Sequence, residues 1–168
     1  MFRTLFILIF LLSVSGCGFQ LRGAVKLPAE LQPLYLYNAG DDELAHQLSV
    51  LLRENNTVLA ADKQQAASRL KIVNQNRTRR VLSVDSSGRA REYELHYSVL
   101  YQLKGQHVDA ENVVKLQRVL TFDPDSVLGA SSEEQTLYHD MQMDAARLIL
   151  QQINALTKKN RHSDATSP

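Results

Sequence analysis

Arginine supplies the most pointed chemistry in this chain. Arg77, Arg79 and Arg80 fall within four consecutive positions, and Arg89 and Arg91 follow just after a Ser-Ser-Gly turn. A guanidinium meets phosphate oxygens in bidentate fashion, so such a group suits a phosphorylated polyanion. The plainer alternative is a charged strand edge that keeps other strands from pairing with it. Glu92 and Glu94 are two apart on an alternating segment and so share one strand face, where an acid and a base could work together. A solvated strand face accounts for them more simply. The five histidines, His46, His96, His107, His139 and His162, include no pair at tight ligand spacing. His139 and Asp140 are adjacent on a helical stretch, where neighbours point to different sides. There is no G-x-S-x-G, no Gly-rich phosphate loop and no metal spacing. The sequence is therefore read as a non-enzyme, with no catalytic residues, no cofactor and no metal.

The only thiol, Cys17, has a different use. Arg3 is followed by an unbroken apolar run from Leu5 to Leu12 and then by Val14-Ser15-Gly16-Cys17. A positive start, an apolar run and small residues before a cut site make a secretory signal peptide. The run is too short to span a membrane, which takes about 20 apolar residues. Small residues directly before cysteine resemble the bacterial lipobox. That resemblance implies cleavage before Cys17 and acylation of its thiol, hence a lipid anchor. One acyl chain binds a membrane only reversibly, whereas several on one cysteine would make release negligible. The thiol is then consumed, and the fold must hold without an internal disulfide. Gly18 stands where an aspartate commonly retains lipoproteins at the inner membrane, so the sorting rule implies the outer membrane. A soluble secreted protein with a stray cysteine is the alternative.

These observations divide the chain into a signal peptide (1–16), a lipid-anchored tether (17–33), one folded domain (34–156) and a disordered polar tail (157–168). The domain is long enough to bury a core without staples. Nineteen basic residues stand against 18 acidic, a formal charge of +1. That balance excludes a general nucleic-acid binder.

The elements that must position the arginines follow from periodicity. Leu34 to Tyr37 is a short strand. Asp41 is a candidate N-cap for a helix with Leu44, Leu48, Leu51 and Leu52 on one face, ended by Asn55-Asn56. Three long strands follow. The first runs from Ser68 to Val84, with Leu70 and Ile72 on one face and a middle that is polar on both. The second alternates Tyr93, Leu95, Tyr97, Val99, Tyr101 and Leu103 with polar residues. The third places Val114, Leu116, Leu120 and Phe122 on one face. Turns are predicted at 85–88 and 104–110. At about 3.3 Å per residue these strands reach roughly 40 Å, so the hairpin tips project. Ser131 and Glu134 form a capping box for a last amphipathic helix ending near Leu156. The order β-α-β-β-β-α predicts an α+β two-layer domain, two helices on one face of a four-stranded mixed sheet.

The mature start Cys17-Gly18-Phe19-Gln20-Leu21-Arg22-Gly23 with Leu27-Pro28, the Gly88 hairpin before Glu92-Tyr93, and Phe122-Asp123 before a Glu-rich helix start resemble the LptE (RlpB) family of lipopolysaccharide-assembly lipoproteins. The resemblance covers most of residues 17 to 156 and implies the same fold. It further implies a one-to-one partnership with the large β-barrel LptD, as a plug in its polar lumen and an aid to its assembly. Together the pair would insert lipopolysaccharide into the outer leaflet, with the lipoprotein binding lipopolysaccharide. Basic residues that the family carries before the hairpin glycine and before the last helix are here Ser86 and Ser131, with Arg89 and Arg91 as substitutes. Arg77, Arg79 and Arg80 are the second candidate cluster. A lipoprotein scaffold or chaperone for another envelope complex, without a lipid ligand, is the competing reading. An anchored periplasmic hydrolase is a third.

Overall fold

The computed structural model describes residues 26–37, 43–106, 108–122 and 127–164. The signal segment, Cys17, the predicted N-cap Asp41, His107 and Asp123-Pro124 lie outside them.

The described elements are β1 (Leu34–Tyr37), α1 (Glu43–Glu54), β2 (Ser68–Val84), β3 (Ala90–Gly105), β4 (Val108–Thr121) and α2 (Val127–Asp164), with a 3-10 turn at Ala29–Leu31. The strands form one sheet in the order β1-β2-β3-β4. β1 is parallel to β2, and β2, β3 and β4 form an antiparallel meander. This is the predicted α+β fold with a mixed four-stranded sheet. The strands are long: 17, 16 and 14 residues in β2, β3 and β4. That corresponds to lengths on the order of 50 Å.

One apolar core joins everything. Leu95, Tyr97, Val99, Tyr101 and Leu103 of β3 are buried against Leu44, Leu48 and Leu52 of α1 and Met141, Ala145, Ile149 and Ile153 of α2. α2 lies along β4 and β3 and against α1, while α1 meets β1. Polar ties also cross from sheet to helix; among them Tyr101 Oη donates to Gln152 Oε1 at 2.8 Å, and Arg118 Nη2 to Asp144 Oδ2 at 2.7 Å. α1 ends as its sequence predicts. Asn56 takes a left-handed φ of 57°. Its N–H bonds to Arg53 O and that of Thr57 to Leu52 O, both at 2.9 Å. These are the two bonds of a Schellman cap.

Four boundaries differ from the sequence reading. Helix α2 begins at Val127, so Ser131 and Glu134 sit inside it and form no capping box. Nothing between Val127 and Ser131 stops a helix except Gly129, which costs only about 1 kcal/mol. At its other end α2 continues to Asp164, past the predicted tail start at 157. Thr157 is buried one turn beyond Ile153, and its hydroxyl bonds back to Ile153 O at 3.1 Å. The apolar stripe therefore extends further than its aliphatic residues show. On the N-terminal side, Leu27 and Leu31 are 4% and 3% exposed and belong to the core. The residues before 34 are thus part of the domain from Leu27 onward. The β3–β4 turn is also tighter than 104–110, since Gly105 pairs with Val108.

Candidate functional site

The site is assembled by the β2–β3 hairpin and the α2 residues beside it. Its arrangement depends on a bulge. Ile72 pairs with Tyr101 but Asn74 pairs with Leu100, so Val73 is the extra residue. An inserted residue reverses which side chains face the core. Before the bulge Leu70 and Ile72 point to the helices. Beyond it Arg77 stands opposite Tyr97 and Arg79 opposite Leu95, on the helix-side face. Arg80 is opposite Glu94, on the other face. The three arginines that look like one cluster in sequence are therefore split across the sheet.

On the helix side, Arg79 Nη1 meets Glu134 Oε2 of α2 at 2.7 Å. Its guanidinium also lies 4.6 Å from the Tyr93 ring centre. Arg77 rests between two rings, 5.8 Å from that of Tyr97 and 5.1 Å from that of Tyr138. Tyr138 Oη donates to Thr78 O at 3.1 Å. Burial, with Glu134 nearby, raises the Tyr138 phenol above its usual range, against the opposing pull of Arg77 and Arg79. Arg77, Ser131, Gln135, Tyr138, His139 and Gln142 line an open cleft of about 380 Å³ together with Glu134. Sequence reasoning had no route to this cleft, because its walls come from two elements more than 50 positions apart.

On the open face, Arg80 Nε and His96 Nε2 both contact Glu94 Oε2, at 2.5 and 2.6 Å. The hydrogen bond from Arg80 holds the Glu94 carboxyl below its ordinary value; desolvation opposes this and His96 adds to it. Ser83 Oγ donates to Glu92 Oε2 at 2.6 Å. Glu92 and Glu94 share a strand face as expected, but each has its own partner rather than the other.

The hairpin turn is closed by two backbone bonds, Gly88 N–H to Asp85 O at 3.0 Å and Asp85 N–H to Arg89 O at 2.8 Å. Gly88 has φ +78°, the left-handed region that favours glycine. Asp85 Oδ1 accepts from Ser87 N–H and Arg89 N–H, and Oδ2 from Arg89 Nε at 3.0 Å. These bonds, the Arg89 N–H first, lower the Asp85 carboxyl below its ordinary value. Arg89 precedes the first residue of β3 and folds onto Asp85, so it does not share the strand alternation of Arg91. Arg91 is exposed, at a position β2 skips, where Ser83 pairs with Glu92 and Val84 with Ala90. Its carbonyl receives the Phe122 N–H at 2.7 Å. The structure thus brings Arg77 and Arg79 together beside α2, places Arg80 behind them, and sets Arg89 and Arg91 at the tip in different roles. Between the two arginine groups lie exposed Val81, Leu82 and Val84, which sequence reasoning passed over. The run Val-Leu-Ser-Val was the signal, since it breaks apolar-polar alternation.

Among the described residues no group of His, Cys, Asp and Glu could hold a metal ion, and no helix is long and apolar enough to cross a membrane.

Comparison with known proteins bears on this geometry. A family model described as LptE, lipopolysaccharide-assembly, matches residues 31–153. The LPS-assembly lipoprotein LptE of Photorhabdus laumondii is 27% identical, over 89% of this chain and 84% of its own length. Among solved structures, the rare lipoprotein B of Shewanella oneidensis superposes with a TM-score of 0.69 at 27% identity, covering 77% of this chain and 98% of that one. The uncharacterized lipoprotein B of Nitrosomonas europaea gives a TM-score of 0.69 at 31% identity, covering 87% and 96%.

Proposed function

The chain belongs to the LptE lipopolysaccharide-assembly family, and from that premise we propose that it works as an outer-membrane lipoprotein partnered with the LptD β-barrel. It is anchored by acylated Cys17, faces the periplasm, and fills the barrel lumen as a plug while assisting barrel assembly. The pair inserts lipopolysaccharide into the outer leaflet, and the lipoprotein contacts the lipid's phosphates through arginines of the β2–β3 hairpin. The family match over residues 31–153 carries this reading. The shape of the domain supports it. One sheet face carries Glu94, His96, Ser98 and Gln102 in half-buried or deeper positions, interspersed with Leu100, Val113 and Val119. The lumen of a large barrel is polar, so the polar part of this face can lie against it. Burial in a lumen would exceed the roughly 1,600 Å² of an ordinary interface.

Gentle detergent extraction of outer membranes, followed by capture of this chain and mass identification of what accompanies it, tests the proposal. A large β-barrel at one-to-one stoichiometry is expected. Recovery of other assembly factors without a barrel would favour the scaffold reading instead. Radioactive palmitate should label the parent chain and not Cys17→Ala. Equal labelling of the two would remove the anchor from the proposal.

A further inference from the structure

The far end of the β2–β3 hairpin carries apolar surface that the fold does not use. Val81, Leu82 and Val84 are 53%, 46% and 58% exposed. They hold three of four consecutive positions, and the fourth, Ser83, is tied to Glu92. A single exposed valine is ordinary, whereas a contiguous exposed group marks a contact. Register sets Val81 opposite Tyr93 and Val84 opposite Ala90. Tyr93 meets Phe122 edge-on, with ring centres 5.5 Å apart. Apolar surface therefore runs from an aromatic pair toward the turn.

Cations flank it. Of the five arginines between positions 77 and 91, Arg79, Arg80 and Arg89 are paired with Glu134, Glu94 and Asp85, Arg77 rests between two rings, and Arg91 is exposed beside the patch. A soluble phosphorylated sugar would use the arginines and leave the valines idle. An apolar protein groove would use the valines and be opposed by the charge. An anionic amphiphile uses both, with acyl carbon on the apolar residues and phosphate on the guanidinium groups.

We propose that the hairpin end formed by Val81, Leu82 and Val84 seats an acyl chain of a phosphorylated lipid, whose phosphates the flanking arginines hold. This rests on the lipopolysaccharide reading above and adds the acyl part of the ligand to it. Each methylene transferred from water to such a seat raises affinity about fourfold.

The chain contains no tryptophan, so Leu82→Trp introduces a single indole at the seat. The chain from residue 17 onward, unacylated through Cys17→Ser, is mixed with phosphatidylcholine vesicles containing lipid A, with the same vesicles lacking it, and with fully deacylated lipid A, a glucosamine disaccharide bisphosphate. Blue-shifted emission with lipid A vesicles alone is the expected result. Co-sedimentation with those vesicles without a blue shift overturns the acyl seat and leaves lipopolysaccharide binding standing. No co-sedimentation and no shift removes lipopolysaccharide binding itself, and the seat with it. A shift that needs no lipid but grows with protein concentration assigns the surface to a second copy and overturns the proposal. An equal shift with vesicles lacking lipid A does so too. As a second measure, Val81→Thr with Val84→Thr keeps good strand formers and should weaken lipid A binding about tenfold. Binding of the deacylated disaccharide should stay the same. Unchanged lipid A affinity in that double variant also overturns the seat.

Discussion

Arg89 and Arg91 carry equal charge two positions apart, yet the hairpin uses them differently. Arg89 is bound to Asp85 by side chain and backbone, while Arg91 is exposed on the strand. Arg91→Asp should therefore weaken binding of purified lipopolysaccharide with little change in melting temperature. A well-formed charge-assisted contact contributes about 1.5–3 kcal/mol, and added salt should reduce the parent's affinity as well. Arg89→Asp should in addition lower the melting temperature slightly, because it also breaks the solvent-exposed pair with Asp85. Titration at two salt concentrations, with a melt of each variant, separates the two effects. Unchanged binding in Arg91→Asp would shift attention to Arg77 and the cleft beside α2. Tyr101 makes a residue-scale prediction of another kind. Burial pushes its phenol up to about 12 from a reference of 10. The raised value means the folded state holds this proton more tightly than the unfolded state does. Its stabilising contribution is complete below pH 10 and is lost as pH rises toward 12. Melting temperature measured from pH 8 to 12 should fall more steeply in the parent than in Tyr101→Phe. At neutral pH the variant should be weaker by about 1 kcal/mol, through loss of the bond to Gln152.

At the scale of elements, the β2–β3 hairpin joins a legible turn to an illegible register. Gly88 was readable as a turn residue, and its φ of +78° shows why. A Cβ there would meet nothing within 4 Å, so substitution is opposed by backbone strain alone. Gly88→Ala should cost about 1 kcal/mol, and Gly88→Asn less, because asparagine tolerates the left-handed region. Thermal melts of the two variants test the ordering; equal losses would contradict it. The bulge at Val73 was not readable. Alternation along β2 is a local pattern, but the residue at which the ladder skips depends on how β3 lies beside it. That one insertion sends Arg77 and Arg79 to the helices and Arg80 to the opposite face. The ends of α2 show the same limit. Ser131 and Glu134 have the spacing of a capping box, yet the helix starts upstream, which leaves Glu134 to reach Arg79.

For the whole molecule, the residues before β1 are part of the fold. Leu27 and Leu31 are buried, and Ser68 Oγ donates to Leu31 O. A chain that begins at Lys26 should keep the stability of the mature domain. One that begins at Leu34 should lose several kcal/mol, since each buried leucine contributes about 1.5–3 kcal/mol. Denaturant titration of the two chains measures the difference, and equal midpoints would place Leu27 and Leu31 outside the cooperative unit.

Periods of 2 and 3.6 and the chemistry of single residues are properties of contiguous chain. They sufficed for the order of strands and helices, the bounds of β2, the apolar face of β3 and the Asn55-Asn56 helix end. The partners of each charged side chain were decided only by the tertiary structure. Arg79 with Glu134, Arg118 with Asp144, and Arg80 and His96 on Glu94 each depend on a register or a crossing between separate elements. A shift of one residue in a strand reverses every side chain beyond it. Composition shows that arginines are abundant near the tip; packing decides which of them are tied to the protein and which face outward.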